Sequence, residues 1–226
     1  MKKLFLVLFA AIIASTAIHA QDGKKEYNNA KKALGAFALD PTNNKAKLQE
    51  AKDAIDAAMK DPEMQADADA WIKKGEIYNE IASQQVTVRQ FGIGKLEDLP
   101  KVDGNPALIA SKAFQMGLDK AEKKYQTKDA LKGLGAVQGN LNNIGFYDYE
   151  EQKYDISFEA FKEALEVHEI LKKNGEESAL KSEDDYNNQL YITGLAALNS
   201  SRANDAKNYF QKLYDIQFDK PAIYEA

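Results

Sequence analysis

The chain has 226 residues and no cysteine, which excludes disulfides, thiolate chemistry and an acylated-cysteine anchor. Its 35 acidic residues outnumber 30 basic ones, a formal charge of −5 that argues against nucleic acid or an anionic lipid surface as partner. The length allows one helical domain with a proper core, and the wealth of Ala, Lys, Glu and Leu with only 5 prolines favours helix throughout.

Residues 1–20 have the three-part layout of a secretory signal peptide. Lys2 and Lys3 supply the positive start. Leu4 to Ile13 is an apolar run, and small residues lead to Ile18-His19-Ala20-Gln21, with cleavage expected after Ala20. The run is too short for a membrane span, which needs about 20 apolar residues. Residues 21–226 are therefore expected as an exported product, periplasmic or secreted, without a lipid anchor or membrane span.

The first helix is predicted over Lys24–Leu39, with Tyr27, Ala30, Leu34 and Phe37 inward. Asp40-Pro41 ends it. Asn43 or Asn44 can cap the next helix, which carries Leu48, Ala51, Ile55, Ala58 and Met59. Asp61-Pro62-Glu63 reads as an N-cap, a first-turn proline and an acid favoured by the helix dipole. A third helix is expected from Glu63 to Val88, containing Trp71. Gln90 to Asn105 then breaks the helical text with three glycines, a proline and no stripe. It reads as an irregular insertion whose Phe91, Ile93 and Leu96 anchor it on neighbouring helices.

Asn105-Pro106 repeats the cap-then-proline device before the helix around Phe114. Thr127 or Asp129 is expected to start a long helix with the stripe Leu131, Leu134, Val137, Leu141 and Ile144. Tyr154 to Lys173 forms the next, broken at Asn174-Gly175. Ser182-Glu183-Asp184-Asp185 fits a capping box. The last two helices carry Tyr191, Leu195 and Leu198, then Phe210, Leu213 and Tyr214. The reading is all-α, with about eight helices.

Catalytic signals are sparse. GIGK at Gly92 to Lys95 resembles part of a phosphate loop, but Arg89 stands where the first glycine belongs and Leu96 where Ser or Thr would hold magnesium. Asp40 to Glu50 resembles a calcium loop, but Lys45 occupies the turn that demands glycine. His168, the one histidine beyond the signal segment, falls on the stripe of Phe158, Phe161, Leu165 and Leu171 and reads as packed rather than as a ligand or base. No catalytic residue, metal ligand or cofactor site is assigned, and the chain is not read as an enzyme.

One spacing recurs. Gly145 is followed by Ser157, Phe161 and Ala164, and Gly194 at the same intervals by Ala206, Phe210 and Leu213. Ala110, Phe114 and Gly117 keep the second half of the pattern, and Trp71, Gly75 and Tyr78 its first half. With these residues the chain resembles the tetratricopeptide repeat family, whose unit is a 34-residue helical hairpin. Leu141 stands where that family's tryptophan would be, and Asp148 and Ala197 replace its tyrosine. The resemblance implies antiparallel hairpins stacked as a right-handed α-solenoid.

The resemblance also implies a function and a face. Such arrays bind a protein or peptide segment in a concave surface lined by the first helix of each hairpin. The lining positions fall on Ile72, Glu76 and Asn79, on Asn142, Phe146 and Tyr149, and on Tyr191, Leu195 and Leu198. Glu76, Glu80 and Glu150 nearby suit an apolar peptide with basic flanks. Alternatives are a structural subunit of an envelope or secretion complex, or a carbohydrate-uptake accessory protein. Phe218, Ile223 and Tyr224 at the C-terminal end suggest that the chain could also associate with itself there.

Overall fold

A computed structural model describes residues 22–219, and among these it is all-helical, with nine α-helices and no strand. The expected signal peptide, residues 1–20, and the tail with Ile223 and Tyr224 lie outside the described residues. The helices are α1 (22–39), α2 (Lys45–Ala58), α3 (Pro62–Ala66), α4 (Ala68–Phe91), α5 (Pro106–Asp119), α6 (Lys124–Glu150), α7 (Tyr154–Lys173), α8 (Glu183–Asn199) and α9 (Ala203–Asp215). A single 3₁₀ turn, Leu96–Asp98, interrupts the α4–α5 connection.

The ends of these helices are set largely by side chains. Asp61 Oδ1 accepts from the Glu63 backbone N–H at 2.9 Å, with Pro62 in the first turn of α3. Asn105 Oδ1 accepts from Ala107 and Leu108, capping α5. Ser182 and Asp185 close a reciprocal capping box on α8. Each such cap satisfies first-turn donors that would otherwise lack partners.

Several boundaries differ from the sequence reading. The expected third helix is two, because Asp67 takes an extended conformation and caps α4 by accepting from Asp69 N–H at 2.9 Å. The two pieces give nine helices instead of eight. Asn44 does not cap α2 with its side chain; its Nδ2 donates to the Ala36 carbonyl and ties down the end of α1. Finally, α6 begins at Lys124, ahead of Thr127, because Gln126 Oε1 reaches back to the N–H groups of Glu122 and Lys123.

Packing follows chain order. α5 lies on α4, α6 on both of them, α7 on α6 and α5, α8 on α7, and α9 on α8. The close approaches come from glycine facing phenylalanine. A Cβ at Gly75 would stand 2.6 Å from the Phe114 ring, one at Gly145 2.8 Å from Phe161, and one at Gly194 2.5 Å from Phe210. Gly133 makes the same approach to Phe114 from α6, so that ring is gripped from two helices. Ala110, Ala164 and Ala206 are buried beside these rings, and Ser157 is buried with no partner for its hydroxyl. Trp71 is half-buried and packs against the core from its edge, with its indole N–H given to the Gln65 carbonyl.

The buried apolar residues form two clusters. One runs from α1 to α7; the other joins α7, α8 and α9. α7 belongs to both, giving Ala164, Val167 and Leu171 to the first and Phe158, Phe161 and Leu165 to the second. Buried polar side chains stitch the layers. Glu163, 3 % exposed, accepts from Ser111 Oγ at 2.7 Å and from Gln115, and pairs with Lys112. Gln138 donates to the Ala164 carbonyl, and Gln189 to that of Phe161.

The insertion is built differently from its sequence reading. α4 continues to Phe91 and is closed by Gly92 in the left-handed region, at φ 65°. Phe91, Ile93 and Leu96 do not anchor the segment: they are 65 %, 67 % and 42 % exposed. The buried residues are Pro100 and Asn105, and Val102 packs on the first cluster. Lys45 and Asp98, 3.8 Å apart, tie the 3₁₀ turn to the start of α2.

Candidate functional site

The apolar face expected on α6 and α8 starts from their packing glycines. Gly145 turns one side of α6 onto Phe161, which brings Phe146 to the rim. Its ring meets Phe161 edge-on at 5.1 Å and remains 46 % exposed. One turn on, Tyr149 is half-buried, edge-on to Tyr154 at 5.1 Å. Its Oη accepts from Asn199 Nδ2 at 2.6 Å, which links the end of α6 to the end of α8. Burial raises the Tyr149 pKa above its usual value.

On α8, Leu198 is 44 % exposed and sits next to Asn199. Leu195 and Tyr191 are half-buried, and the Tyr191 ring lies 6.2 Å from that of Phe210. The second cluster thus supports both helices from below while leaving apolar rims above it. Phe146 and Leu198 expose apolar surface, and the Tyr149–Asn199 bond links the two helix ends.

The α4 part of the expected face is different. Ile72 does not line it. It is 5 % exposed, because Gly117 of α5 lets the two helices approach until Ile72 fills the gap. Glu76 is half-buried and pairs with Lys73. Asn79 is engaged by Asn140, whose Nδ2 donates to Asn79 Oδ1 at 2.8 Å and to Ser83 Oγ at 2.9 Å. At this level of α4 the polar contact from α6 comes from Asn140, five residues before Gly145, and not from Asn142 or Phe146. Asn142 is half-buried and its Oδ1 has no hydrogen-bond partner.

Two contributors escaped sequence reading. Asn199 ends a helix and reads as a stop signal, and Asn140 lies in a polar stretch without motif. Neither carries a local signal for its cross-helix bond.

Elsewhere, His168 is half-buried instead of packed in the core. Ser178 Oγ donates its one proton to Gln138 Oε1 at 2.9 Å, so His168 Nδ1, 2.8 Å away, carries the proton between them. Burial holds the imidazole pKa below its usual value. The ring flanks an open cleft of about 460 Å³ with Lys172, Glu176 and Glu177. Another cleft of about 650 Å³ lies between α1 and α2, lined by Glu26, Lys32, Glu50 and Asp53 among others. Among the described residues, no group of three or more His, Asp or Glu side chains is placed to hold a metal, and no helix is long and apolar enough to cross a membrane.

No family model, curated protein or solved structure matches this chain.

Proposed function

We propose that the protein is a non-enzymatic, protein- or peptide-binding scaffold of the bacterial cell envelope, exported by a cleaved signal peptide and built as a degenerate tetratricopeptide-like solenoid. The observation that carries this reading is the half-open apolar surface of Phe146 and Tyr149 on α6 and of Leu195 and Leu198 on α8, two helices that both pack on α7 and are linked by the Tyr149–Asn199 bond. The three glycine–phenylalanine contacts, repeated from α4/α5 to α6/α7 to α8/α9, support the repeat architecture.

A partner that buried two or three of these side chains would gain on the order of 1.5–3 kcal/mol from each. After the entropy of ordering a peptide, that supports roughly micromolar affinity. The test is capture from envelope extracts with the wild-type chain and with a Phe146→Ala, Tyr149→Ala, Leu198→Ala variant of matched helicity. Loss of the captured partner supports the reading. Undiminished capture places the site elsewhere.

A second reading, a structural subunit of an envelope assembly, is favoured by the exposed Phe91, Ile93 and Leu96. In that case the captured partner would be stoichiometric and stable, and its binding would depend on these three residues.

A further inference from the structure

Three places in the chain set an aspartate or asparagine directly before glycine: Asp22-Gly23, Asp103-Gly104 and Asn174-Gly175. The pairing is reactive. The glycine nitrogen can attack the side-chain carbonyl carbon of the residue before it, with no Cβ in the way. Reaction needs an amide that is not held in a hydrogen bond, and a backbone free to bring the two atoms together.

The fold treats the three pairs differently. Gly23 is buried in the first turn of α1, and a Cβ on it would overlap the Asp61 side chain. Gly175 is exposed, but its N–H donates to the Lys172 carbonyl at 3.1 Å, and that of Glu176 to the Leu171 carbonyl at 2.9 Å, which closes the C-terminal cap of α7. Asn174 Nδ2 is held as well, donating to the Ile170 carbonyl at 2.8 Å. Asp103 and Gly104 are both exposed and lie between helices. Among the described residues, neither the Asp103 carboxylate nor the Gly104 N–H has a hydrogen-bond or ionic partner. Gly104 takes a φ of 89°, and nothing stands within 4 Å of where its Cβ would be.

We propose that Asp103-Gly104 is a modification site at which the folded protein isomerises its own backbone. The Gly104 nitrogen attacks the protonated Asp103 carboxyl. The C–N bond forms, the nitrogen's proton and the carboxyl OH leave as water, and a succinimide ring results. Water then adds back. Opening at the side-chain carbonyl restores aspartate. Opening at the main-chain carbonyl leaves the chain running through the side chain, with one more methylene in the backbone. No co-reactant other than water is needed.

The position gives this change its effect. Asn105 follows directly and is 5 % exposed. Its Oδ1 caps α5 through Ala107 and Leu108, and its Nδ2 donates to Asp148 of α6 at 3.3 Å. A longer main chain just before Asn105 shifts it and loosens both attachments. The joint between the insertion, α5 and α6 therefore weakens with the age of the molecule.

The test compares the folded protein with the same protein unfolded in urea. Both are incubated in heavy-oxygen water at mildly acid pH, which favours the protonated carboxyl, and circular dichroism confirms the fold of the first sample. After transfer to ordinary water, trypsin releases Val102–Lys112 and Asn174–Lys181, each holding one of the pairs. Heavy oxygen marks every ring that has opened, and electron-transfer fragmentation locates the β-linked product. The expected conversion at Asp103 is within about threefold of the unfolded rate, whereas Asn174 is slowed by about tenfold or more by its closed cap. Suppression of Asp103 to the same degree as Asn174 overturns the proposal. So does an Asn174 rate equal in both samples, since held amides would then not govern the reaction. Asp103→Glu, whose longer side chain closes a ring far more slowly, should remove the product without loss of helicity. Heavy oxygen still entering Val102–Lys112 in that variant would overturn the assignment to Asp103. In the converted fraction the Ala107 and Leu108 amides should exchange faster, and unchanged exchange there would refute the loosening.

Discussion

Tyr78 of α4 donates its phenolic proton to Asp56 of α2 at 2.7 Å, and with the Lys74–Asp56 ion pair at 3.4 Å this bond fastens the first hairpin to α4. Tyr78 is 5 % exposed. Burial first, then the bond to Asp56 and its charge, push the phenol pKa far above its ordinary 10.0. The folded-state pKa is raised, so the stabilisation is complete below the unfolded value and is lost as pH rises toward the folded one. Stability should therefore decline above pH 10. Tyr78→Phe should lower stability at neutral pH by about 1.5–3 kcal/mol, the worth of a hydrogen bond to a charged group. It should also flatten the alkaline decline. Urea titrations at neutral pH and above pH 10 check both, and an equally steep decline in the variant would assign it to other tyrosines.

Glycine-to-alanine changes should fall on both sides of zero. At Gly145 a methyl group would meet Phe161 at 2.8 Å, and at Gly75 it would meet Phe114 at 2.6 Å. These substitutions should destabilise by about 1–3 kcal/mol through overpacking. Gly139, also in a helix, is exposed, and a methyl group there would meet nothing within 4 Å. Gly139→Ala should stabilise by about 0.5–1 kcal/mol, the ordinary helix preference. Denaturation midpoints of the three variants provide the comparison, and a common sign would contradict it.

Asp148 should make the fold more tolerant of mild acid. It is 8 % exposed, and burial, opposed by Lys153, raises its carboxyl pKa; Asn105 Nδ2 donates to it at 3.3 Å. A raised folded pKa means that this group's contribution is fully present below the unfolded value and lost as pH rises through the folded one. Asp148→Asn should accordingly stabilise the protein near neutrality. The gain should shrink as pH falls through the carboxylate range. A gain that is constant with pH would point to packing instead of charge.

The insertion should divide into two parts. Phe91, Ile93 and Leu96 are exposed, so replacing all three by serine should change stability by no more than about 0.5 kcal/mol per site. Asn105→Ala removes the α5 cap and the bond to Asp148, and should cost about 0.5–2 kcal/mol. Thermal melts of both variants suffice. Cooperative loss of structure in the triple serine variant would show that the exposed residues do support the fold.

Helices were legible wherever a stripe or a cap carries local information. The caps at Asp61, Asn105 and Ser182 are set by residues two and three positions away, which a linear text displays. The glycine–phenylalanine contacts were legible because their spacing repeats. Gly133 was not, since its approach to Phe114 depends on how α6 crosses α5, and no interval in the chain encodes that crossing. The same holds at the candidate face. Phe146 and Leu198 were expected from the lining positions that the family resemblance implies, and both are exposed. Ile72 sits at an equivalent position, yet Gly117 lets it be swallowed by α5. The insertion misled for a related reason: its apolar residues suggested burial, whereas Pro100 and Val102 supply the anchoring.

The sharing of α7 between two apolar clusters also has a meaning in time. The second cluster holds α8 and α9 through one face of α7, while the other face remains bound to α6 and α5. The last hairpin can thus let go without the first cluster losing its seal. Its amides should exchange with deuterated water on a faster clock than those of α4 to α6, by sub-global opening. Within α7 itself, protection should follow the slower clock, because the helix stays anchored after its neighbour has left.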